Sequence, residues 1–189
     1  MKSLAVLIAC AACAYLSPAF ANEFEAPLKA QAEVIKVWLN DPVIIASINS
    51  QNAANAKLTQ ADIDALDKQW RAETTAADQP LIQKTLGNSL SALLKQKQTS
   101  SNGLYSEIFV MDNHGLNVGQ SEITSDYWQG DEDKWQKTYS AGADSIHLSE
   151  VEKDESTQAF QAQLSLPVVD PASAAVIGAV TIGINVEAL

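Results

Sequence analysis

Apolar residues change their spacing midway along the chain, and this change constrains the fold more than any other feature of the sequence. From Glu23 to Leu39 they recur every three or four residues, which is typical of an amphipathic helix. From residue 158 to residue 186 apolar residues alternate with polar or small ones, which indicates strands with one face in a core. A helical half followed by antiparallel strands predicts the α+β fold class.

The helical half carries local signals for where further helices begin. Asp41 stands before Pro42, so Asp41 can cap a helix whose first position suits proline. Thr59 and Asp62 have the spacing of a capping box and predict a second start. One more helix is predicted over residues 80–97, with leucines on its apolar side.

The second half predicts an antiparallel sheet. Apolar runs at residues 108–111 and 116–119 flank the turn Asp112–Gly115, which predicts a hairpin. Longer alternating strands are predicted over residues 158–169 and 176–186. The second face of the last strand is formed by Ile177, Ala179, Thr181, Gly183 and Asn185. These residues are mostly small or polar, so they leave room for another group to approach the sheet closely.

The first 21 residues have the pattern of a secretory signal peptide. Lys2 supplies the positive end, residues 4–16 are apolar, and Ala19–Ala21 gives the small-residue pattern that a signal peptidase reads. We therefore predict cleavage after Ala21, a single mature domain over residues 22–189 and a periplasmic location. No direct membrane insertion is expected after cleavage, because no later apolar run is long enough. The alternative is that the segment is retained as a membrane anchor.

Charge and residue types exclude several classes of function. Lys and Arg total 12 against 23 Asp and Glu, a formal net charge of −11, which argues against nucleic acid and anionic lipid as partners. Cys10 and Cys13 both fall in the predicted leader, so the mature chain has no thiolate for a disulfide, a nucleophile or a metal. The chain has two histidines and neither a Gly-x-Ser-x-Gly motif nor a phosphate-binding glycine loop. We therefore predict no metal, no cofactor and no enzymatic activity.

Residues 125–135 form a short polar segment that is rich in aromatic rings. This aromatic segment holds Tyr127, Trp128 and Trp135 together with four carboxylates. Tyr and Trp offer flat apolar surface with a hydrogen-bonding edge, which suits closing over a small ligand. On residue types alone, a solvated loop whose rings cap the edge of the sheet is an equal alternative.

Several stretches of the second half form one longer pattern: Ile108–Val118, Thr124–Trp135, Ser149–Val151, Leu166–Val168 and Gly178–Ile182. This pattern, which covers about half of the mature chain, resembles the Cache (PDC-type, PAS-like) family of extracellular sensor domains. The resemblance implies a long N-terminal helix and a helical half packed on a central antiparallel sheet of five or six strands. It also implies a loop–helix element over the opposite face of the sheet, enclosing a pocket for a small molecule.

The resemblance further implies which side chains line that pocket. Tyr127, Trp128 and Trp135 would form its wall and lid, with Asp126 in the same segment. The lining residues from the strands would be Phe109, Met111, Asn117, His147 and Thr181. Amino-acid-binding members of the family typically carry an Arg beside the aromatic residues, whereas the nearest cations in this sequence are Lys134 and Lys137.

These features together predict a noncatalytic periplasmic sensor domain that binds a small organic molecule. Family members are usually fused to a transmembrane helix and a signalling module, so we expect a separate, membrane-bound signalling partner here. The alternative is a noncatalytic interaction or adaptor module whose acidic surface docks to a membrane protein.

Overall fold

The structure is a computed structural model that describes residues 18–153 and 159–189, with side chains from residue 23 onward. Most of the predicted signal peptide, including Cys10 and Cys13, lies outside the described residues. The helices are Pro18–Leu39 (α1), Pro42–Asn55 (α2), Gln60–Glu73 (α3), Pro80–Leu86 (α4), Ser89–Ser100 (α5) and Asp133–Gln136 (α6).

Both predicted helix caps are confirmed. Asp41 Oδ1 accepts a hydrogen bond of 2.9 Å from the backbone N–H of Val43 at the start of α2. At the start of α3, the Thr59 hydroxyl accepts from the backbone N–H of Asp62, and the Asp62 carboxylate accepts from the backbone N–H of Thr59. Each bond satisfies an N–H group that has no partner inside its helix, so these local residues determine where α2 and α3 begin.

The single helix predicted over residues 80–97 is wrong, because the structure divides it into α4 and α5. Leu86 ends α4, Gly87 follows, and Asn88 Oδ1 accepts a hydrogen bond of 2.8 Å from the backbone N–H of Ser91. Glycine favours the end of a helix and asparagine caps the start of the next one. The break lets α4 pack between α3 and the second strand of the predicted hairpin, while α5 packs on both strands of that hairpin.

The described residues form a six-stranded sheet, as the resemblance implies. Its strands are Tyr105–Met111 (β1), Asn117–Gln120 (β2), His147–Leu148 (β3), Glu152–Lys153 (β4), Phe160–Val169 (β5) and Val176–Asn185 (β6). Their order is β2-β1-β6-β5-β3, with β4 also paired to β5, and every pairing is antiparallel. The predicted hairpin is β1–β2, and β6 lies in the middle of the sheet.

The two faces of the sheet are covered differently. Helices α1, α2 and α5 pack on one face, where the alternating apolar residues of the long strands form the main core. The strand residues in this core include Ile108, Val110, Ala162, Leu164, Leu166, Val168, Val180, Ile182 and Ile184. On the other face lie α6 and the 3-10 turn Tyr139–Ala141. The protein is therefore an α+β fold with a helical layer on one face and a short loop–helix element on the other.

Candidate functional site

Four neighbouring strands place one side chain each in a row across the sheet. Phe109 pairs with Thr181, Thr181 with Ser165, and Ser165 with His147. Directly paired residues point to the same face of a sheet, so these side chains share the face opposite the main core. Thr181 and Ser165 are fully buried, and their hydroxyl oxygens lie 2.9 Å apart in a hydrogen bond. The structure thus brings three sequence-predicted residues, Phe109, Thr181 and His147, into one row.

Two stacked aromatic rings cover the β1 end of this row. The ring centroids of Trp135 and Tyr139 lie 4.8 Å apart, with 23° between the ring planes. Both rings pack against the buried side chains of Phe109 and Met111. Trp135 Nε1 also donates a hydrogen bond of 3.1 Å to the backbone carbonyl of Asp112, which ties α6 to the turn of the hairpin. Trp135 therefore closes this part of the face.

A cleft of about 540 Å³ opens beside the covered region, at the β3 edge of the sheet. It lies between α6 on one side and strands β3, β4 and β5 on the other. The side chains that line it include Glu132, Asp133, Lys134, Lys137, His147 and Gln163. His147 belongs both to the row of sheet residues and to the cleft.

Both signs of charge line this sheet cleft. Lys134 is the most enclosed cation, with 15% of its side chain exposed; its Nζ lies 2.9 Å from the Glu132 carboxylate. The same Nζ lies 5.5 Å from the ring centroid of Phe109, a favourable position for a cation over an aromatic face. Lys137 Nζ lies 2.7 Å from Asp133 Oδ2. The cleft can therefore offer an anionic group and a cationic group to one molecule.

The imidazole of His147 adds a titratable group to the cleft. Burial lowers its pKa below the ordinary value of 6.5, and the nearby ammonium groups of Lys137 and Lys134 lower it further. The carboxylate of Asp133 acts in the opposite direction, but the net shift is downward. His147 is therefore neutral at pH 7, when one ring nitrogen donates a hydrogen bond and the other accepts one.

Tyr127 and Trp128 lie in a different cluster, together with residues of α3 and α4. Tyr127 stacks on Trp70 with 5.2 Å between ring centroids, and burial raises the pKa of Tyr127 to about 12. The backbone N–H groups of Tyr127 and Trp128 donate to Asp67 Oδ1 at 2.9 Å and 3.1 Å. The structure therefore does not bring these two rings together with Trp135, and they do not form a lid over the sheet face.

The first part of the aromatic segment is held beside the β1–β2 hairpin by backbone hydrogen bonds. The backbone N–H of Asn117 donates to the carbonyl of Tyr127 at 3.0 Å, and that of Gln129 donates to the carbonyl of Gly115 at 2.8 Å. The first part of the segment thus runs beside the end of the hairpin, as an added antiparallel bridge. Only the later part, from α6 onward, reaches the sheet face.

The other two predicted site residues are Asp126 and Asn117, which form an ion pair and hydrogen bonds inside the protein. Asp126 Oδ1 lies 2.8 Å from Arg71 Nη2, which forms an ion pair between α3 and the aromatic segment. Asn117 is buried, and its Nδ2 donates to Thr124 Oγ1 at 3.0 Å and to the carbonyl of Asp126 at 3.1 Å. Arg71 is not predicted from the sequence, because it lies far from the aromatic segment along the chain and only the fold brings it to Asp126.

The described residues contain neither a metal-ligand cluster nor a membrane-spanning helix. Across residues 18–153 and 159–189, no group of three or more His, Cys, Asp or Glu side chains is arranged to hold a metal ion. Within the same ranges, no helix combines the length and the apolar character that a bilayer crossing needs.

No family model and no curated protein matches the chain, whereas solved sensor domains do resemble it. The sensor domain of the V. cholerae histidine kinase DctB has a TM-score of 0.45 and 14% identity, over 90% of this chain and 57% of that one. The sensory domain of the Campylobacter jejuni chemoreceptor Tlp3 gives 0.41 and 17%, over 89% and 65%. The Pseudomonas aeruginosa amino acid chemoreceptor PctC, solved with GABA, gives 0.42 and 14%, over 81% and 62%.

These neighbours are sensor or ligand-binding domains, the kind of domain that the sequence resembles. The chain spans less than two thirds of the length of each of these three. Because every TM-score is below 0.5 and every identity below 20%, the similarity assigns neither a ligand nor a partner to this chain.

Proposed function

We propose that this chain is a noncatalytic sensor domain that binds a small polar organic molecule in the sheet cleft beside His147. The cleft itself is the observation that carries the proposal. Its volume of about 540 Å³ falls within the range of small-molecule sites. Its two ion pairs, its neutral imidazole and the Gln163 amide supply donors and acceptors of both charge signs.

A signal can arise at α6, the short helix that forms one wall of the cleft. α6 has only four residues, and Lys134 within it and Lys137 directly after it form ion pairs with Glu132 and Asp133. A ligand that binds Lys134 or Lys137 more tightly in one position of α6 shifts the population toward that position. Trp135 then transmits the shift to the hairpin through its hydrogen bond to Asp112. The receiver that we propose is a separate membrane-bound signalling protein.

We further propose that the protein acts in the periplasm after removal of residues 1–21. The apolar leader and its small-residue end support this proposal. The intact mass of the protein from a periplasmic extract checks it, since the proposal requires an N-terminus at Asn22. A mass that includes the leader contradicts cleavage after Ala21.

A thermal-shift screen of the purified protein, unfolded and refolded to strip bound ligand, tests binding. The probes are succinate, L-alanine, GABA, putrescine and glucose, which cover acids, zwitterions, amines and neutral sugars. A probe at about a hundred times its Kd adds about 2.7 kcal/mol to the free energy of unfolding, which raises the melting temperature measurably. We expect one chemical class to give this rise.

Matched variants locate the binding. Lys137→Gln and His147→Gln alter the cleft, whereas Lys57→Gln removes an exposed cation outside it. We expect both cleft variants to lose the thermal shift and the Lys57 variant to keep it. No response to any probe, or a response that survives both cleft variants, contradicts the proposal and favours the protein-docking alternative.

A further inference from the structure

A second cleft lies on the helical side of the molecule, away from His147. It has a volume of about 480 Å³ and separates α2 from α3 and α4. Val118 of β2 and the ring of Tyr127 also line it, and both are buried. The exposed residues at its edges include Ala46, Ser50, Ala54 and Lys84. A gap between two helical elements over a buried floor is a common position for a small-molecule site.

The charged side chain that lines this helical cleft is a cation, although the protein as a whole is acidic; the Asp112 carboxylate lies behind the lining amides of Gln51 and Asn55. The chain has 23 Asp and Glu against 12 Lys and Arg, yet no carboxylate of residues 18–153 and 159–189 lines this cleft. In the part of the chain that the structure describes, Lys84 is the one charged residue that lines it. None of the ion pairs among the described residues includes Lys84. An ammonium group without a carboxylate partner, beside hydroxyl and amide groups, favours an anion.

The lining also provides an apolar surface for a short alkyl group or an aromatic ring of a ligand. Leu66 and Leu81 contribute from α3 and α4, Val118 from β2, and Tyr127 from the aromatic segment. Because its pKa is raised to about 12, the Tyr127 phenol stays neutral at physiological pH and does not repel an anion. Ser47 and Ser50 of α2 add hydroxyl groups.

The polar walls of the cleft are held in place before any ligand arrives. Gln51 Nε2 and Asn55 Nδ2 donate to Asp112 Oδ2 at 3.0 Å and 2.9 Å. On the opposite wall, Asn88 Nδ2 donates to the carbonyl of Val118 at 2.8 Å. Side chains that are already ordered lose little conformational entropy on binding, which favours affinity.

We propose that the helical cleft is a second binding site, which takes a small organic anion with an apolar body, such as a monocarboxylate. Lys84 binds the carboxylate, and the apolar body lies against Leu66, Leu81 and the Tyr127 ring. This proposal stands apart from the sheet cleft, because the lining residues of the two clefts do not overlap.

Titration of the ¹⁵N-labelled full chain with butyrate and benzoate, followed by NMR, tests the proposal. Butyramide and benzamide are the matched neutral probes. We expect the carboxylates to shift the amide signals of α2 and α4, and the amides to bind at least about tenfold more weakly, as loss of a charge-assisted hydrogen bond predicts. Equal binding of acids and amides, or no binding of the acids at about a hundredfold excess over the protein, overturns the proposal.

Two pairs of variants assign the binding to the cleft. Lys84→Gln removes the cation and is expected to raise the Kd of the carboxylates about tenfold. Lys68 is an exposed lysine that does not line the cleft, so Lys68→Gln is expected to leave this Kd within about twofold. Ala54→Trp fills the edge of the cleft and is expected to abolish binding. Ala53→Trp changes an exposed residue outside the lining and is expected to leave binding intact. Binding that persists in Lys84→Gln and is lost in Lys137→Gln places the acids in the sheet cleft and overturns this proposal.

Discussion

At the scale of single residues, Asp112 connects parts of the protein that lie far apart in the sequence. Its buried carboxylate accepts hydrogen bonds from Gln51 and Asn55 of α2 and from the backbone N–H groups of His114 and Leu116. Its backbone carbonyl accepts from Trp135, so one residue holds α2, the hairpin turn and α6 together. A buried carboxyl group is tolerated here because several N–H groups compensate for the loss of water.

The pH dependence of stability tests the environment of His147. Because burial and two lysines lower its pKa below 6.5, the unfolded chain binds more protons than the folded protein as the pH falls below that value. Its contribution to stability is therefore present above pH 6.5 and is lost as the pH falls toward the lower, folded-state pKa.

We expect His147→Gln to reduce the loss of unfolding free energy between about pH 7.5 and about pH 5.5, measured by urea denaturation. His114→Gln, in the hairpin turn, is the matched control. A pH profile of His147→Gln that parallels that of the unmodified protein contradicts the assigned environment.

At the scale of elements, the glycines of β6 determine how closely β1 approaches it within the sheet. It lies between β1 and β5, and its glycines stand where neighbouring groups come near the strand. A Cβ atom on Gly178 would lie 2.2 Å from the backbone carbonyl oxygen of Met111. On Gly183 it would meet the side chains of Ser106 and Glu107 instead. Backbone atoms cannot rotate away from an added methyl group, whereas side-chain atoms can. Alanine is therefore tolerated better at Gly183 than at Gly178.

We therefore expect Gly178→Ala to lower the free energy of unfolding by about 2 kcal/mol, because β1 and β6 must separate to admit the methyl group. Gly183→Ala is the matched comparison, with an expected loss of less than about 1 kcal/mol, since the overlapping atoms belong to side chains. Chemical denaturation measures both. Equal losses in the two variants contradict the close approach at Gly178.

At the scale of the whole molecule, two features act against folding. One is the pairing of strands that are distant in the sequence, and the other is the excess of negative charge. β1 and β6 pair directly although the aromatic segment and four other strands separate them along the chain. Such pairings cost loop-closure entropy, which the apolar core must offset. The net charge of −11 acts against compactness, because like charges come closer together in the folded protein.

Salt is therefore expected to stabilise the protein. Raising the NaCl concentration from about 0.01 M to about 0.15 M shortens the Debye length from about 30 Å to about 8 Å and screens the repulsion. We expect a higher melting temperature by calorimetry, and a smaller rise in Asp78→Lys, which removes part of the excess charge at an exposed loop position. A melting temperature that falls with salt shows that the exposed ion pairs outweigh the repulsion.

The amino-acid sequence by itself determined where α2 and α3 begin and which face of the long strands lies in the core. Caps such as Asp41 and the Thr59–Asp62 pair act within one turn of chain, and alternation along β5 and β6 follows from the geometry of a single strand. The break at Gly87 and Asn88 was also local and could have been found from those residues. The resemblance added the order of layers and placed Trp135, Phe109 and Met111 on one face.

Only the tertiary structure decided which distant groups meet. It placed Tyr127 against Trp70 of α3 rather than over the sheet, and it brought Arg71 to Asp126. It also formed one cleft at the sheet edge beside His147 and another between α2, α3 and α4. The physical reason is that periodicity indicates whether a side chain is buried but not which residues cover it. The covering residues depend on contacts between segments that are far apart in the chain.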